Sequence, residues 1–210
     1  MEKNKTQKKD QIAELLKLCS EYCRLLEKSD KIALNEFLES LAAKMMAIYK
    51  QCFEINRFQT RYESDAEKFL SEKQYNKMLK SLKDILDKRD NYNEIIDPNK
   101  PANNAVFQAS LSEDLTDIYQ DFYDFVSWYS LGTLESINDS VIECLNNFEK
   151  YWGIKLLNAL RAIHLLRYFK KDGSLFRDPK DDDEPGTSII AGDDEIVDSD
   201  GLDEFLKDEL

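Results

Sequence analysis

In six stretches between residue 10 and residue 171, apolar side chains recur at steps of three and four. The chain's four prolines (98, 101, 179 and 185) fall outside every stretch in which they do. A proline inside such a stretch would remove a hydrogen bond and clash with the preceding turn, so this placement leaves the helices whole. Six helices are predicted, over about 10–28, 31–53, 72–90, 113–131, 134–152 and 154–171. Valine and threonine, on which strands draw, occur only four and five times. The fold class is therefore all-α: a single bundle of about six helices within a domain spanning 1–177.

Local signals set the boundaries. Ser29–Asp30 offers a cap for the second helix, and Ser71 with Gln74 fits a capping box for the third. Ser112 is positioned to cap the fourth, with Gly132 as its stop. Thr133 opens the fifth, Gly153 separates it from the sixth, and Asp172–Gly173 ends the sixth. Residues 91–110 read as an unusually long connection, a kind of loop that is often functional. No run of about 20 apolar residues is present to span a membrane. The first residues lack the apolar run and cleavage site of a signal peptide.

The net charge of −13 is unevenly distributed. Residues 178–210 hold 14 acids against Lys180 and Lys207, whereas the preceding 177 residues are nearly neutral. With two prolines, three glycines and few apolar residues, the acidic tail 178–210 is expected to be disordered. Its final residues, Lys207 to Leu210, spell a luminal retention address. With no export signal read at the start, it is taken as a coincidence. Cys19, Cys23, Cys52 and Cys144 all fall in helical segments, and the spacing of Cys19 and Cys23 is neither a redox motif nor a zinc-finger pair. They read as small buried hydrophobes in a reducing cytoplasm. Within the body, residues 101–149 carry nine acids and no Lys or Arg, while 150–177 carry seven bases and one acid. Such complementary blocks invite pairing within the molecule.

The fourth helix shows how. Leu111, Leu115, Ile118, Phe122, Phe125 and Tyr129 form one stripe, and Asp114, Asp117, Asp121 and Asp124 form a second about a quarter turn away. These carboxylates belong at the edge of the core, where another helix bearing cations would relieve their mutual repulsion. The sixth helix is different. Eleven of the sixteen residues from Ile154 to Phe169 are apolar and lie all around it, which predicts a central, buried helix. A buried Arg161 would then need a carboxylate, from Asp117, Asp121 or Glu143.

The candidate site is thus a polar cluster in the bundle core, built from Asp117, Asp121, Glu143, Trp152, Asn158, Arg161 and His164. The plainer reading of the same residues is an ion-pair network that fixes helix register. No catalytic residues are assigned. A di-iron bundle needs two Glu-x-x-His motifs, and the chain has one histidine and no such motif. Phosphate-loop, dinucleotide, HExxH and GxSxG signatures are also missing. No cofactor or metal is assigned, although Asp117, Asp121 and Glu143 have the chemistry of a magnesium site. The near-neutral body argues against nucleic acid as a partner, despite a small basic arm at Lys3, Lys5, Lys8 and Lys9. The acidic tail is a candidate to fold against that arm or the sixth helix.

The strings SLSEDLTDIYQDFYDF (110–125) and NNFEKYWGIKLLNALRAIH (146–164) resemble family 5063 of bacterial domains of unknown function. The resemblance covers roughly residues 10–170 and implies a compact, helical, soluble domain, with no activity or catalytic residues to carry over. Two functions follow from the residues themselves. The leading one is a non-enzymatic protein-binding or adaptor module with an unknown protein partner, cytoplasmic and without a membrane anchor. The alternative is a small-ligand or magnesium-dependent enzyme that uses the polar cluster.

Overall fold

The computed structural model describes residues 2–55, 68–94 and 107–169. The acidic tail and the middle of the 91–110 connection lie outside these, as do the expectations placed on them. The described chain is mostly helical, in line with the sequence reading, and none of its helices is long and apolar enough to cross a membrane.

Helix α1 runs Glu2–Glu27, eight residues earlier than its apolar period predicts. Its first eight residues are polar, six of them Glu, Lys or Gln, which favour helix by propensity without leaving an amphipathic signature. A 3₁₀ turn at Ser29–Lys31 leads to α2 (Leu34–Glu54). Here the expected cap fails: Ala33 occupies the N-cap without a side-chain bond, and Ser29 is buried in the turn. Helix α3 (Glu72–Leu86) has the predicted capping box, with Ser71 accepting from the Gln74 amide and Gln74 accepting from the Ser71 amide at 3.0 Å. It stops four residues short of its predicted end, at Asp87, whose φ of 46° is an unfavourable backbone that Asp tolerates better than most residues.

The long connection is not a plain loop. Its ends pair as antiparallel strands β1 (Asn91–Glu94) and β2 (Phe107–Ser110), with Asn91 opposite Ser110 and Glu94 opposite Phe107. Four-residue strands with polar letters carry too little period-2 alternation to be read from sequence. Asp90 holds this hairpin to the next helix. Its carboxylate accepts from the Ser112 amide (2.7 Å), the Ser112 hydroxyl (2.9 Å) and the Ser110 hydroxyl (2.8 Å). An acid at a helix N-terminus also suits the helix dipole. The cap of α4 (Leu111–Ser130) is consequently Ser110 rather than the expected Ser112, which is buried.

Gly132, with φ 76°, follows α4 as predicted, and Thr133 caps α5 (Leu134–Asn147), accepting from the Ser136 amide at 3.0 Å. The role expected of Gly153 is corrected. It does not separate two helices: α5 continues through a π-helical turn, Phe148–Trp152, into α6 (Gly153–Tyr168). A Cβ at Gly153 would collide with the Phe148 carbonyl oxygen and press on that ring, 3.0 Å from Cδ2. Glycine here permits a wide turn rather than a break.

The core forms around α4. Its predicted stripe is buried at Leu111, Leu115, Ile118, Phe122 and Phe125 and half-buried at Tyr129. The Phe122 ring meets Tyr22 and Trp152 edge-on, at 5.1 and 4.9 Å between centroids. Both polar tips are satisfied, as buried aromatic donors require. Tyr22 donates to the Leu115 carbonyl at 3.0 Å, and the Trp152 indole donates to the Cys144 carbonyl at 3.2 Å. All four cysteines are free and buried, as expected. Burial pushes the thiols of Cys19, Cys23 and Cys52 well above their ordinary range.

Candidate functional site

The aspartates of α4 do lie at the core boundary, and other elements meet each of them. Asp114 is almost fully buried, accepts from the Tyr92 hydroxyl of β1, and lies 3.3 Å from the Lys155 ammonium. Asp117 accepts from Lys155 (2.7 Å), Tyr75 of α3 (2.6 Å) and Tyr151 of the π turn (3.0 Å). Asp121 accepts from the Asn147 amide at 2.7 Å. Asp124 accepts from the amides of Phe69 (2.8 Å) and Leu70 (3.0 Å), which ties down the approach to α3.

Lys155 is the cation that joins the acid-only block to the basic one. Burial works against its charge, but the Asp117 hydrogen bond, with the charges of Asp117 and Asp114, holds its pKa above the ordinary lysine range. Further along the row the balance tips the other way. Burial raises Asp121 from 3.8 to about 6, with the Asn147 bond opposing and the charge of Asp124 adding to it. Asp124 is raised by burial too, against its two amide donors. One end of the row is thus ion-paired and the other is desolvated.

The seven sequence-predicted residues do not form one cluster. Asp117 sits at Lys155. Asp121 and the exposed Glu143 line a partly open cavity of about 340 Å³ between α4 and α5, with Asp124, Asp139, Lys68 and Trp128. Trp152 and Asn158 are buried. Arg161 and His164 lie on the opposite side of α6, both exposed. The expected buried pairing of Arg161 is therefore corrected: its guanidinium donates to the Asn93 carbonyl at 3.0 Å, a neutral group at the edge of β1. His164 rests 4.8 Å from the Tyr168 ring.

The expectation of a buried, central α6 fails for one reason. Ile154, Leu157, Arg161, His164 and Tyr168 are all exposed, and at 100° per residue they share a stripe only about 80° wide. Three of the five are apolar, so composition hides the outer face. The inner face carries Lys155, about 120° from Arg161 around the helix. Lys155, Asn147 and the three tyrosines that meet the acid row are residues that sequence reading missed. The only available signal was the complementary charge blocks, which locate the pairing but not the residue.

A second concavity runs between α2 and α6. Ala43 and Met46 of α2, with Leu160, Arg161, His164 and Tyr168 of α6, line a groove of about 520 Å³. Among the described residues, no three His, Cys, Asp or Glu side chains come together in a way that could hold a metal ion.

The family model described as Domain of unknown function (DUF5063) matches residues 6–169. The chain belongs to this family. Among solved structures, this family member is similar to protein BF1032 from Bacteroides fragilis, a structural-genomics target, with 29% identity and a TM-score of 0.68. The likeness covers 77% of this chain and 94% of that one, so the bundle is shared nearly entire. Among curated proteins, none matches the chain.

Proposed function

We propose that this domain is a non-enzymatic protein-binding module, an adaptor that docks through the outer face of α6. One observation carries the reading: Ile154 is 52% exposed, Leu157 40% and Tyr168 38%, aligned on a single stripe at the 3–4 spacing of a helix–helix seam. The dispersal of the polar groups supports it. The acids of α4 are engaged with internal donors, and the chain's one histidine lies on the other side of α6 from Lys155 and the acid row. Four buried, free cysteines support the cytoplasmic location that goes with this reading. Photo-crosslinking in the native host tests it. A photoreactive residue in place of Leu157 should yield a discrete protein adduct that the same residue in place of Lys77, exposed on α3, does not. The absence of any adduct at position 157 would end the proposal.

A second reading, a small-ligand site, is favoured by the α4–α5 cavity, whose volume falls in the range of ligand pockets. Its acids and Trp128 suit an organic cation. Calorimetric titration with spermidine, and separately with magnesium, into wild-type protein and Glu143→Gln tests it. No heat from either probe would remove this reading.

A further inference from the structure

We infer that the segment docking on this face is an acidic amphipathic helix, seated lengthwise in the groove between α2 and α6. The inference rests on the protein-binding reading above and adds the shape and charge of the partner.

Shape comes from two parallel seams. On α2, Glu39, Ala43, Met46, Lys50 and Phe53 are exposed at steps of four and three, matching the exposed steps on α6. Met46 is 57% and Phe53 77% exposed. The two helices run antiparallel: Arg167 donates to the Asn35 carbonyl (3.5 Å) and to Glu39 (3.4 Å), while Tyr49 meets Phe148 towards the other end, 5.1 Å between ring centroids. The groove itself is lined from Leu160 to Tyr168 on α6 and from Glu39 to Met46 on α2. The exposed seams continue beyond it, through Leu157 and Ile154 on one side and Lys50 and Phe53 on the other, offering holes for the knobs of a third helix.

Charge comes from the rim. The acids Glu39 and Glu54 already pair with Arg167 and Lys50. Arg161, midway along its seam, spends its described hydrogen bond on a neutral carbonyl, and His164 lies one turn beyond. A helix bearing carboxylates beside its apolar seam would complete Arg161, whereas a basic one would be repelled. A second copy of this chain fits badly. Antiparallel self-pairing of the stripe Ile154–Tyr168 centres on Arg161 and sets the two guanidinium groups against each other.

Three-heptad helical peptides with a leucine seam, flanked by Glu, Gln or Lys, test this by fluorescence anisotropy against the full chain. The Glu peptide should bind about tenfold tighter than the Lys peptide, an advantage that salt erodes. Arg161→Glu should reverse the order, with circular dichroism confirming an unchanged fold, and Leu157→Ser should weaken all three. Equal binding of the three peptides, or binding of none, overturns the inference. So does self-association of the wild-type chain that Leu157→Ser abolishes. The photo-crosslink at position 157 does not depend on peptide charge, so failure here is distinguishable from failure of the protein-binding reading.

Discussion

Helices α4 and α6 pack against each other and treat charge in opposite ways. On α4 the aspartates sit beside the apolar stripe and are drawn into the fold by Lys155, three tyrosines, an asparagine and two backbone amides. On α6 the cations divide: Lys155 turns inward to that row, and Arg161 turns out beside exposed leucine and isoleucine. The lesson is that apolarity alone does not say which side of a helix is inside. On α4 the two stripes are separate and the inner face is obvious; on α6 apolar residues occupy both faces, and only the partners decide.

The sharpest way to break the comparison is to damage the shared interior. Phe122→Ala removes a fully buried ring that contacts Tyr22 and Trp152, and should cost about 3–5 kcal/mol in urea unfolding. A loss below about 1 kcal/mol would mean α4 is not the centre of the core. Next comes Lys155→Met, which leaves Asp114 and Asp117 with their tyrosine donors but without a counter-charge. With the ammonium part-exposed, the cost should be about 2 kcal/mol, short of the full penalty for a sealed pair.

Asp121 gives a smaller, signed effect. Its native pKa of about 6 lies above the ordinary 3.8, so its contribution to stability is fully present below 3.8 and lost as pH rises through about 6. Asp121→Asn keeps the acceptor for Asn147 but cannot ionise. It should be more stable than wild type by about 1 kcal/mol at pH 8, discounted for partial exposure, with the advantage fading by pH 4. Equal stability at both pH values would show that Asp121 is solvated. The thiols should react with a thiol reagent only on unfolding, since all four are buried. At the bottom of the scale, Arg161→Ala should change stability by less than about 0.5 kcal/mol, as expected for a surface residue, and yet matter for docking.

Much of this architecture was readable beforehand. The apolar stripe of α4, the Ser71–Gln74 box, the Gly132 stop and the Thr133 cap each rest on local chemistry that acts within one turn of chain. What was not readable depends on partners distant in sequence. Ser110 caps α4 in place of Ser112 because Asp90, the residue just before β1, claims the latter. Lys155 outranks Arg161 as the counter-charge only because of how α6 is rotated about its axis. The candidate site dispersed for that same reason.

That rotation traces back to the π turn. Its wide loop takes up roughly one residue more than α geometry would, so α6 emerges in a phase that α5 alone does not dictate. Wound as ordinary helix without shortening the chain, everything after Gly153 would swing by about 100°. Lys155 would then leave the acid row, and the outward seam would be dealt to a different set of side chains. A hydrogen where other residues carry a carbon, at one position, thereby chooses what this molecule shows to its surroundings.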